Sequence, residues 1–303
     1  MIGPHPFDPP DGRRVGSPAR ACETAGMASV PLSTAEVLAL LRRAADDMVR
    51  PRFGQLASSD VIEKTPGDFV TIADREAEAF LTQVLTRHYP DAVIVGEESS
   101  FLAGSGWSVL ATAPHAFVID PVDGTNNYVR GNADYAIMLA ELRAGEVIRS
   151  WIWQPEHAVA FVAEQGRGVW HNGVRVTSPS IQEPPRGATS RRTWWGSTAG
   201  GRLAPIVPSR FCVGVDYPRM MLGDLDFLVY RHPKPWDHLP ALLMLHELGG
   251  DIRYLDGTPY TPGSHGDMVV CCCASQLGDR LVDVLGQPGG PTGADIDLGR
   301  RQA

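Results

Sequence analysis

The segment FVIDPVDGTNNYVRG, residues 117–131, constrains this chain more than any other part of its sequence. The apolar run Phe117–Ile119 is typical of a buried strand, and it leads into Asp120 and Asp123. Two like charges at the end of a buried strand repel each other unless a cation or protons offset them. Because hard divalent cations prefer oxygen ligands, they are the natural counter-charge. The segment therefore predicts a metal site at the end of a strand.

The residues around the two aspartates suggest further ligands. Pro121 fixes φ and lacks an N–H group, so we expect it to restrain the loop and let the Val122 carbonyl turn toward a metal. Gly124 and Thr125 offer backbone N–H groups near a possible helix start, an arrangement that suits phosphate. The segment thus combines features of a metal site and of a phosphate site.

Other carboxylates lie at similar junctions between an element and a loop, where functional side chains are often found. Glu97 and Glu98 directly follow a short apolar strand, and Asp74 and Asp237 stand at the start of predicted helices. Each has an ordinary alternative. Carboxylates cap helix N-termini, which is the favoured interpretation of Asp74 or Asp237 taken alone, and Glu97 and Glu98 alone would be solvated loop residues.

The pattern of apolar residues predicts an α/β fold of layered, alternating helices and sheets. Ser33 and Glu36 form a capping-box pattern before a first helix, and residues 74–90 predict a second. Residues 135–176 read as an antiparallel meander with turn signals such as Asn-Gly. Strands and helices mix from residue 209 onward.

This organisation predicts two subdomains with a boundary near residue 180. Residues 31–180 would form an N-terminal α+β metal-binding subdomain that contains the antiparallel sheet, and 181–286 a C-terminal α/β subdomain that starts with a loop-like stretch up to 208. We expect disorder in residues 1–30 and 287–303, which offer little apolar surface to offset ordering entropy. Met27 begins a segment that reads like a natural N-terminus, and the residues before it lack the apolar core of a secretory signal.

Composition excludes several classes of function. The chain has 303 residues and a formal net charge of −8, which argues against general nucleic-acid binding; the basic-aromatic RRTWW at 191–195 reads as a surface loop. No apolar run approaches the roughly 18 residues that a membrane span needs. Three of the five cysteines are consecutive, at 271–273. Their spacing suits a buried strand better than a disulfide framework or a zinc site, and reduced thiols suit the cytoplasm.

Two known acidic motifs match the central segment poorly. An EF-hand loop needs acids or amides at its first, third and fifth positions, but the third and fifth residues from Asp120 are Val122 and Gly124. The haloacid-dehalogenase phosphatases follow an apolar strand with Asp-x-Asp-Gly-Thr, which is one residue shorter than the spacing here. The extra residue would misplace the second acid.

Four motifs in order resemble the inositol monophosphatase family of lithium-sensitive, magnesium-dependent phosphatases. The chain carries DFVTIAD at 68–74, GEES at 96–99, DPVDGT at 120–125 and PWDHLP at 235–240. HELGGDI also looks like the family's EAGG turn, and the resemblance covers about residues 33 to 286. It implies the layered fold described above and hydrolysis of a phosphate monoester.

The resemblance also implies roles for individual residues. Glu97, Asp120 and the Val122 carbonyl would hold one Mg²⁺, and Asp120, Asp123 and Asp237 a second, while a third, weaker ion would contact Glu97 and waters. Asp74 and Thr125 would orient the attacking water, so that the catalytic residues would be Asp74, Thr125 and Glu97. Backbone N–H groups of Gly124 and Thr125 would hold the phosphate. Lys64 stands where many members carry a lysine, and it would either reach the site or decorate a loop.

Departures from the family pattern concentrate where the alcohol would bind. The inositol phosphatases carry a Glu seven residues before the Asp of Trp-Asp, and here that position is Tyr230. Bulky Asp216, Tyr217 and Pro218 replace small residues. We therefore expect the substrate-binding residues to be Asp123, Asp216, Tyr230 and Asp237.

The expected function is a Mg²⁺-dependent phosphomonoesterase acting on a small phosphorylated alcohol, in the manner of an inositol-1-monophosphatase. Histidinol phosphate and other sugar or nucleotide phosphates remain open as substrates. The alternative from another class is a regulatory binding protein on a phosphatase scaffold. By analogy with the family we expect a cytoplasmic homodimer that is inhibited by Li⁺.

Overall fold

The computed structural model describes residues 31–103, 107–286 and 291. The disorder predicted for residues 1–30 and for the C-terminal tail falls outside these residues, apart from Pro291. The helices of the described part are α1 (Thr34–Ala44), α2 (Ile72–His88), α3 (Glu97–Ala103), α4 (Thr125–Val129), α5 (Val213–Met221), α6 (Pro235–Glu247) and α7 (Ser275–Leu285). Its strands are β1 (Val61–Thr65), β2 (Asp68–Thr71), β3 (Val93–Gly96), β4 (His115–Asp123), β5 (Ala136–Arg143), β6 (Glu146–Gln154), β7 (Val159–Glu164), β8 (Gly168–His171), β9 (Val174–Arg175), β10 (Gly187–Thr189), β11 (Val207–Pro208), β12 (Phe227–Arg231), β13 (Asp251–Tyr254) and β14 (Met268–Cys272).

The larger sheet contains the predicted meander. Its order is β3-β4-β5-β6-β7-β8-β9, with β3 parallel to β4 and every later pair antiparallel. The Asn-Gly signal forms the β8–β9 turn, where Asn172 and Gly173 both have positive φ, at 47° and 81°. That geometry matches the twist of a tight hairpin. A separate hairpin, β1–β2, lies outside this sheet.

Alternate residues of each central strand face different helices. On β4, Phe117 and Ile119 belong to a core shared with α1 and α2, whereas Val118 faces a second core that includes α5 and α6. The α1 end of the first core is fixed by the predicted capping box, in which the Ser33 N–H donates to Glu36 Oε2 at 2.7 Å. This alternation follows from the two-residue period of a strand.

The second sheet has the order β11-β10-β12-β14-β13. One face of β12 and β14 joins the core of α5 and α6, and the other face packs on α7. The layers therefore run α1 and α2, larger sheet, α5 and α6, smaller sheet, α7. This arrangement confirms the predicted α/β fold of alternating helices and sheets.

Three details refine the sequence-based description. The stretch 181–208, expected to be a loop, supplies the short strands β10 and β11. Cys271–Cys273 are buried and unbonded, as expected for a strand that lies between two cores. Because α6 packs against both β6 and β13, the core is continuous across residue 180, and the subdomain boundary there stays a prediction. No helix in the described ranges is both long and apolar enough to cross a membrane.

Candidate metal and phosphate site

Two neighbouring parallel strands bring Glu97 and Asp120 to one edge of the larger sheet. Gly96, the last residue of β3, pairs with Ile119 on β4. The residues that follow these two, Glu97 and Asp120, therefore lie side by side. Gly96 has no room for a side chain, because a Cβ there would lie 2.2 Å from the Glu78 carboxylate carbon. Glu78 in turn accepts the N–H groups of Glu98 and Ser99 at 2.8 and 2.9 Å, which fixes the start of α3.

A bulge in β4 places Asp120 and Asp123 on the same face. Asp120 pairs with Met138 and Asp123 with Ala136. The two aspartates are thus three residues apart on β4, whereas their partners are two residues apart on β5. In a regular strand, residues three apart would point to opposite faces, and the extra residue of a bulge restores the same side. Met138 and Ala136 belong to the core of α5 and α6, whereas Val122 packs in the core of α1 and α2.

The start of α5 holds one oxygen of Asp123. The Cys212 thiol and the Gly214 N–H both donate to Asp123 Oδ2, at 2.9 and 2.5 Å. Burial raises the pKa of Asp123, and these hydrogen bonds partly offset that effect. The role of Cys212 could not be anticipated from the sequence, since nothing local to the segment RFCVGV connects it with a residue 89 positions away.

Asp120 has a buried oxygen without a partner. It is 1% exposed, and its Oδ1 makes no hydrogen bond to the described residues. Burial, and then the charges of Glu97, Asp123 and Asp237, raise its pKa well above the ordinary value. We call Glu97, Asp120, Asp123 and Asp237 the acidic cluster. Burial is also the largest cause of the raised pKa of Asp237, followed by its acidic neighbours.

The donor chemistry of the acidic cluster fits hard divalent cations. Its four carboxylates repel one another, and a cation would both offset that repulsion and supply a partner for the orphaned oxygen of Asp120. As the side chains stand, no three acidic, histidine or cysteine groups in the described part of the chain surround a single ion position. In this arrangement Cys212 and Gly214 donate to Asp123, and Lys64 donates to Glu97.

Lys64, on hairpin β1–β2, does reach the acidic cluster. Its ammonium donates to Glu97 Oε1 at 2.9 Å and to Glu98 Oε1 at 3.0 Å, and its side chain is only 4% exposed. Burial alone would lower the pKa of Lys64, but the two carboxylates outweigh it and raise the pKa. Glu98, 4% exposed, is therefore no solvated loop residue; its pKa is raised to about 7, first by burial and then by Glu97.

Asp74 both caps a helix and faces the site. Its Oδ2 accepts the N–H and the hydroxyl of Thr71, which completes the capping box of α2. Its Oδ1 lies 3.2 Å from Thr125 Oγ1, a hydroxyl that is also 3.0 Å from the Val122 carbonyl oxygen. Burial raises the pKa of Asp74 to about 7, although the Thr71 hydrogen bonds lower it. Asp74 can therefore cap α2 through Oδ2 and face the site through Oδ1.

Asp237 lies in the first turn of α6, where capping was the favoured alternative. The N-cap residue, Lys234, makes no side-chain capping hydrogen bond, and Asp237 lines the cavity that contains the other carboxylates. This cavity measures about 550 Å³. Its floor carries the acidic cluster, Val122 and Thr125, and hairpin β1–β2, α4 and β12 form its walls.

Gly124 and Thr125 begin α4 beside that floor. Gly124 is the N-cap with φ 82°, a region that favours glycine, and a Cβ there would lie 2.9 Å from Cys212 Cβ. Both residues line the cavity. Their use as phosphate-binding groups stays a prediction that this placement allows.

The two residues expected to select the alcohol occupy different positions. Tyr230 lines the cavity, whereas Asp216 lies behind it, fully buried. The Tyr230 hydroxyl donates to Asp216 Oδ2 at 2.8 Å, and the Arg210 N–H donates to the same oxygen at 2.9 Å. Asp216 therefore positions the Tyr230 ring and the 210–212 loop without facing the cavity itself.

Comparisons with known proteins identify the family of the chain. The model of the family described as "Inositol monophosphatase family" matches residues 33–285. The Nus factor SuhB of Pseudomonas aeruginosa is 34% identical over 235 residues, which are 71% of this chain and 83% of that protein.

Solved structures show the same fold. The Thermotoga maritima IMPase TM1415 superposes with a TM-score of 0.70 at 25% identity, covering 82% of this chain and 95% of that one. A structure titled IMPase/NADP phosphatase complexed with Mg²⁺ and phosphate gives a TM-score of 0.72 at 20% identity, with coverages of 85% and 96%.

Proposed function

Given that the chain belongs to the inositol monophosphatase family, we propose that it hydrolyses a small phosphorylated alcohol in a Mg²⁺-dependent reaction. Membership makes it a phosphoric monoester hydrolase. The observation that carries the metal dependence is the buried, unpartnered oxygen of Asp120 among three other carboxylates. Such an arrangement is costly unless cations bind there.

The proposed ligands divide into two overlapping sets. Glu97, Asp120 and the Val122 carbonyl would hold one Mg²⁺, Asp120, Asp123 and Asp237 a second, and Glu97 a third, weaker ion. When bound, the ions would lower the pKa of water and neutralise the phosphoryl and leaving oxygens. Asp123 can serve through Oδ1, because Oδ2 is already held by Cys212 and Gly214.

Thr125 and Asp74 would orient the attacking water. The Thr125 hydroxyl has one proton and two acceptors nearby, so it can donate a hydrogen bond to Asp74 while its oxygen accepts a hydrogen bond from water. Thr71 fixes the Asp74 carboxylate. The N–H groups of Gly124 and Thr125 would bind the phosphate, and the Lys64 ammonium would remain a fixed positive charge beside Glu97.

The test is phosphate release from a panel of monoesters, with Mg²⁺ and with EDTA. The panel includes inositol 1-phosphate, histidinol phosphate, sugar phosphates and nucleotides, since Tyr230 leaves the alcohol open. Asp123→Asn should lower kcat/KM more than about 100-fold, because loss of an outer-shell partner alone costs about 10–100-fold at metal sites. Exposed Asp91→Asn is the matched control. A fully active Asp123→Asn enzyme would refute the metal role.

Lithium gives an independent test of the metal site. We expect Li⁺ to inhibit by competing at one Mg²⁺ position, so raising Mg²⁺ should shift the inhibition curve. Activity that stays constant over a wide Li⁺ titration would show that this position differs from that of the lithium-sensitive relatives.

A second candidate is a regulatory binding role, favoured by the 34% identity with a relative named Nus factor SuhB. The complete acidic cluster argues that catalysis is retained alongside any such role. Capture of partner proteins by wild type and by Asp123→Asn separates the two functions. Binding that survives the substitution supports a scaffold role, and binding that is lost with the metal does not.

The proposal extends to the oligomeric state and the cellular location of the protein. We propose a cytoplasmic homodimer built from subdomains that meet near residue 180. The four cysteines of the described residues are buried and form no disulfide, which suits a reducing compartment. Light scattering of the purified protein measures the oligomeric state.

A further inference from the structure

Three arginines line the outer part of the active-site cavity, and each comes from a different element. Arg130 follows the last residue of α4, Arg192 lies in the loop after β10, and Arg231 ends β12. All three are exposed. They stand out on a chain whose net charge is −8. Above the acidic floor, the cavity thus has a basic rim, which we define as these three residues.

The basic rim is weakly neutralised by the protein. Among the described residues, Arg130 and Arg192 form no ion pair, and Arg231 lies 3.6 Å from Asp267, with both side chains about half exposed or more. An exposed pair of this kind contributes little. The rim therefore presents guanidinium donors whose fork geometry matches a phosphate or a carboxylate.

The wall beside Arg192 is held in a strained conformation. The Arg192 guanidinium lies over the Trp195 ring at 5.9 Å, and Trp195 meets Phe211 edge-on at 6.4 Å. Phe211 lines the cavity with φ 55°, an unusual value for a bulky residue. Strain of this kind persists only where the surroundings fix it, and it concentrates at functional sites.

The surroundings of Phe211 do fix it. The Asn127 side chain donates to the Arg210 carbonyl at 2.8 Å, and Asp216 accepts the Arg210 N–H. The same Asp216 holds Tyr230 on the cavity wall. The wall and the basic rim are therefore built together, although neither contributes a group to the acidic cluster.

Resting on the phosphatase reaction proposed above, we propose that the alcohol part of the substrate carries a second anionic group, a phosphate or a carboxylate, which the basic rim binds. The acidic cluster and its cations take the phosphate that is hydrolysed. A neutral polyol would leave the rim guanidinium groups without a partner. The competing role for Arg130, Arg192 and Arg231 is to steer any phosphate monoester electrostatically.

Two matched substrate pairs test this specificity. Glucose 1-phosphate is compared with glucose 1,6-bisphosphate, and glycerol 2-phosphate with 2-phosphoglycerate, by kcat/KM for phosphate release with saturating Mg²⁺. In at least one pair we expect the second anion to raise kcat/KM about 10-fold or more, well beyond the factor of about two for a second scissile phosphate. A preference in the glucose pair would identify the second anion as a phosphate, and a preference in the other pair would identify it as a carboxylate.

Arg192→Gln then assigns the preference to the rim, with exposed Arg43→Gln on α1 as the control. Arg192→Gln should lower kcat/KM about 10-fold more for the preferred member than for its partner, through KM. Equal losses for both members would show that Arg192 does not recognise the second anion and would overturn the inference. No preference in either pair, with monoesters still hydrolysed, would overturn it while leaving the phosphatase function intact. Absence of turnover for every monoester would overturn both this inference and the proposed phosphatase function.

Discussion

Asp120→Asn should stabilise the metal-free protein while it destroys the proposed metal site. The Asp120 carboxylate is 1% exposed, one of its oxygens has no partner, and its pKa is raised well above the ordinary value. At neutral pH the folded protein therefore bears the cost either of a buried charge repelled by its acidic neighbours or of taking up the proton that neutralises that charge. An amide has nearly the same shape and no charge.

The magnitude follows from removal of the charge, because an Asn side chain would still leave one polar atom without a partner. Leaving a buried polar group unsatisfied costs about 1–3 kcal/mol, and more for a charged one. We therefore expect the variant to gain about 1–3 kcal/mol in EDTA, which is roughly 2–8 °C in Tm for a chain of this size. With Mg²⁺ present, the wild type should instead be more stable than the variant. At 100 times its Kd it stabilises the wild type by about 2.7 kcal/mol, whereas the variant has lost a shared ligand.

Thermal unfolding in EDTA and over a Mg²⁺ titration measures both effects. Exposed Asp91→Asn should stay within about 0.5 kcal/mol of wild type in both conditions. The reasoning fails if Asp120→Asn is less stable than wild type in EDTA, because the carboxylate would then be well satisfied without metal. It also fails if Mg²⁺ raises the Tm of the variant as much as that of the wild type.

Further predictions concern pH, strain and packing. Burial raises the pKa of every member of the acidic cluster, and repulsion within the cluster adds to this effect for Asp120 and Asp237. The folded protein therefore holds protons that the unfolded chain releases once the pH exceeds its ordinary carboxylate pKa. Stability in EDTA should therefore fall as pH rises from about 5 to 8, by up to about 1.4 kcal/mol per pH unit for each such proton; a Tm that rises over this range contradicts the assignment. Phe211→Gly should leave the free energy of unfolding unchanged or up to about 1 kcal/mol higher, because it relieves a left-handed residue that is 45% exposed. The same change at buried Phe227 should cost about 3–5 kcal/mol, and urea denaturation of the two variants compares them directly. Gly96→Ala should cost about 2–4 kcal/mol, since its Cβ would displace the Glu78 carboxylate that caps α3; a loss below about 1 kcal/mol would show that Glu78 moves freely.

Local sequence was sufficient for the elements and for the carboxylates of the site. The Ser33 capping box, the Asn-Gly hairpin and the buried cysteine strand are all decided by residues that are close in sequence. Glu97 and Asp120 each directly follow an apolar run in the sequence, so their place at one sheet edge could be anticipated. The layered fold and the family were confirmed for the same reason.

Contacts between distant segments could not be read from the sequence. Cys212 reaches Asp123 across 89 positions, and Asn127 reaches the Arg210 carbonyl across 83. Asp216 was expected to face the substrate, but its charge is used to hold Tyr230 and a backbone N–H behind the wall. A carboxylate that binds a ligand and one that supports a neighbour look alike in sequence, because the difference lies in tertiary packing.

The bulge between Asp120 and Asp123 limits how this segment can evolve. Substituting Pro121 or Val122 changes a side chain, whereas adding or removing one residue would reverse the side on which Asp123 lies relative to Asp120. One carboxylate would then enter the apolar core of α1 and α2. We therefore expect the segment to accept changes of residue type and to reject changes of length, so that its spacing should outlast most of the sequence around it.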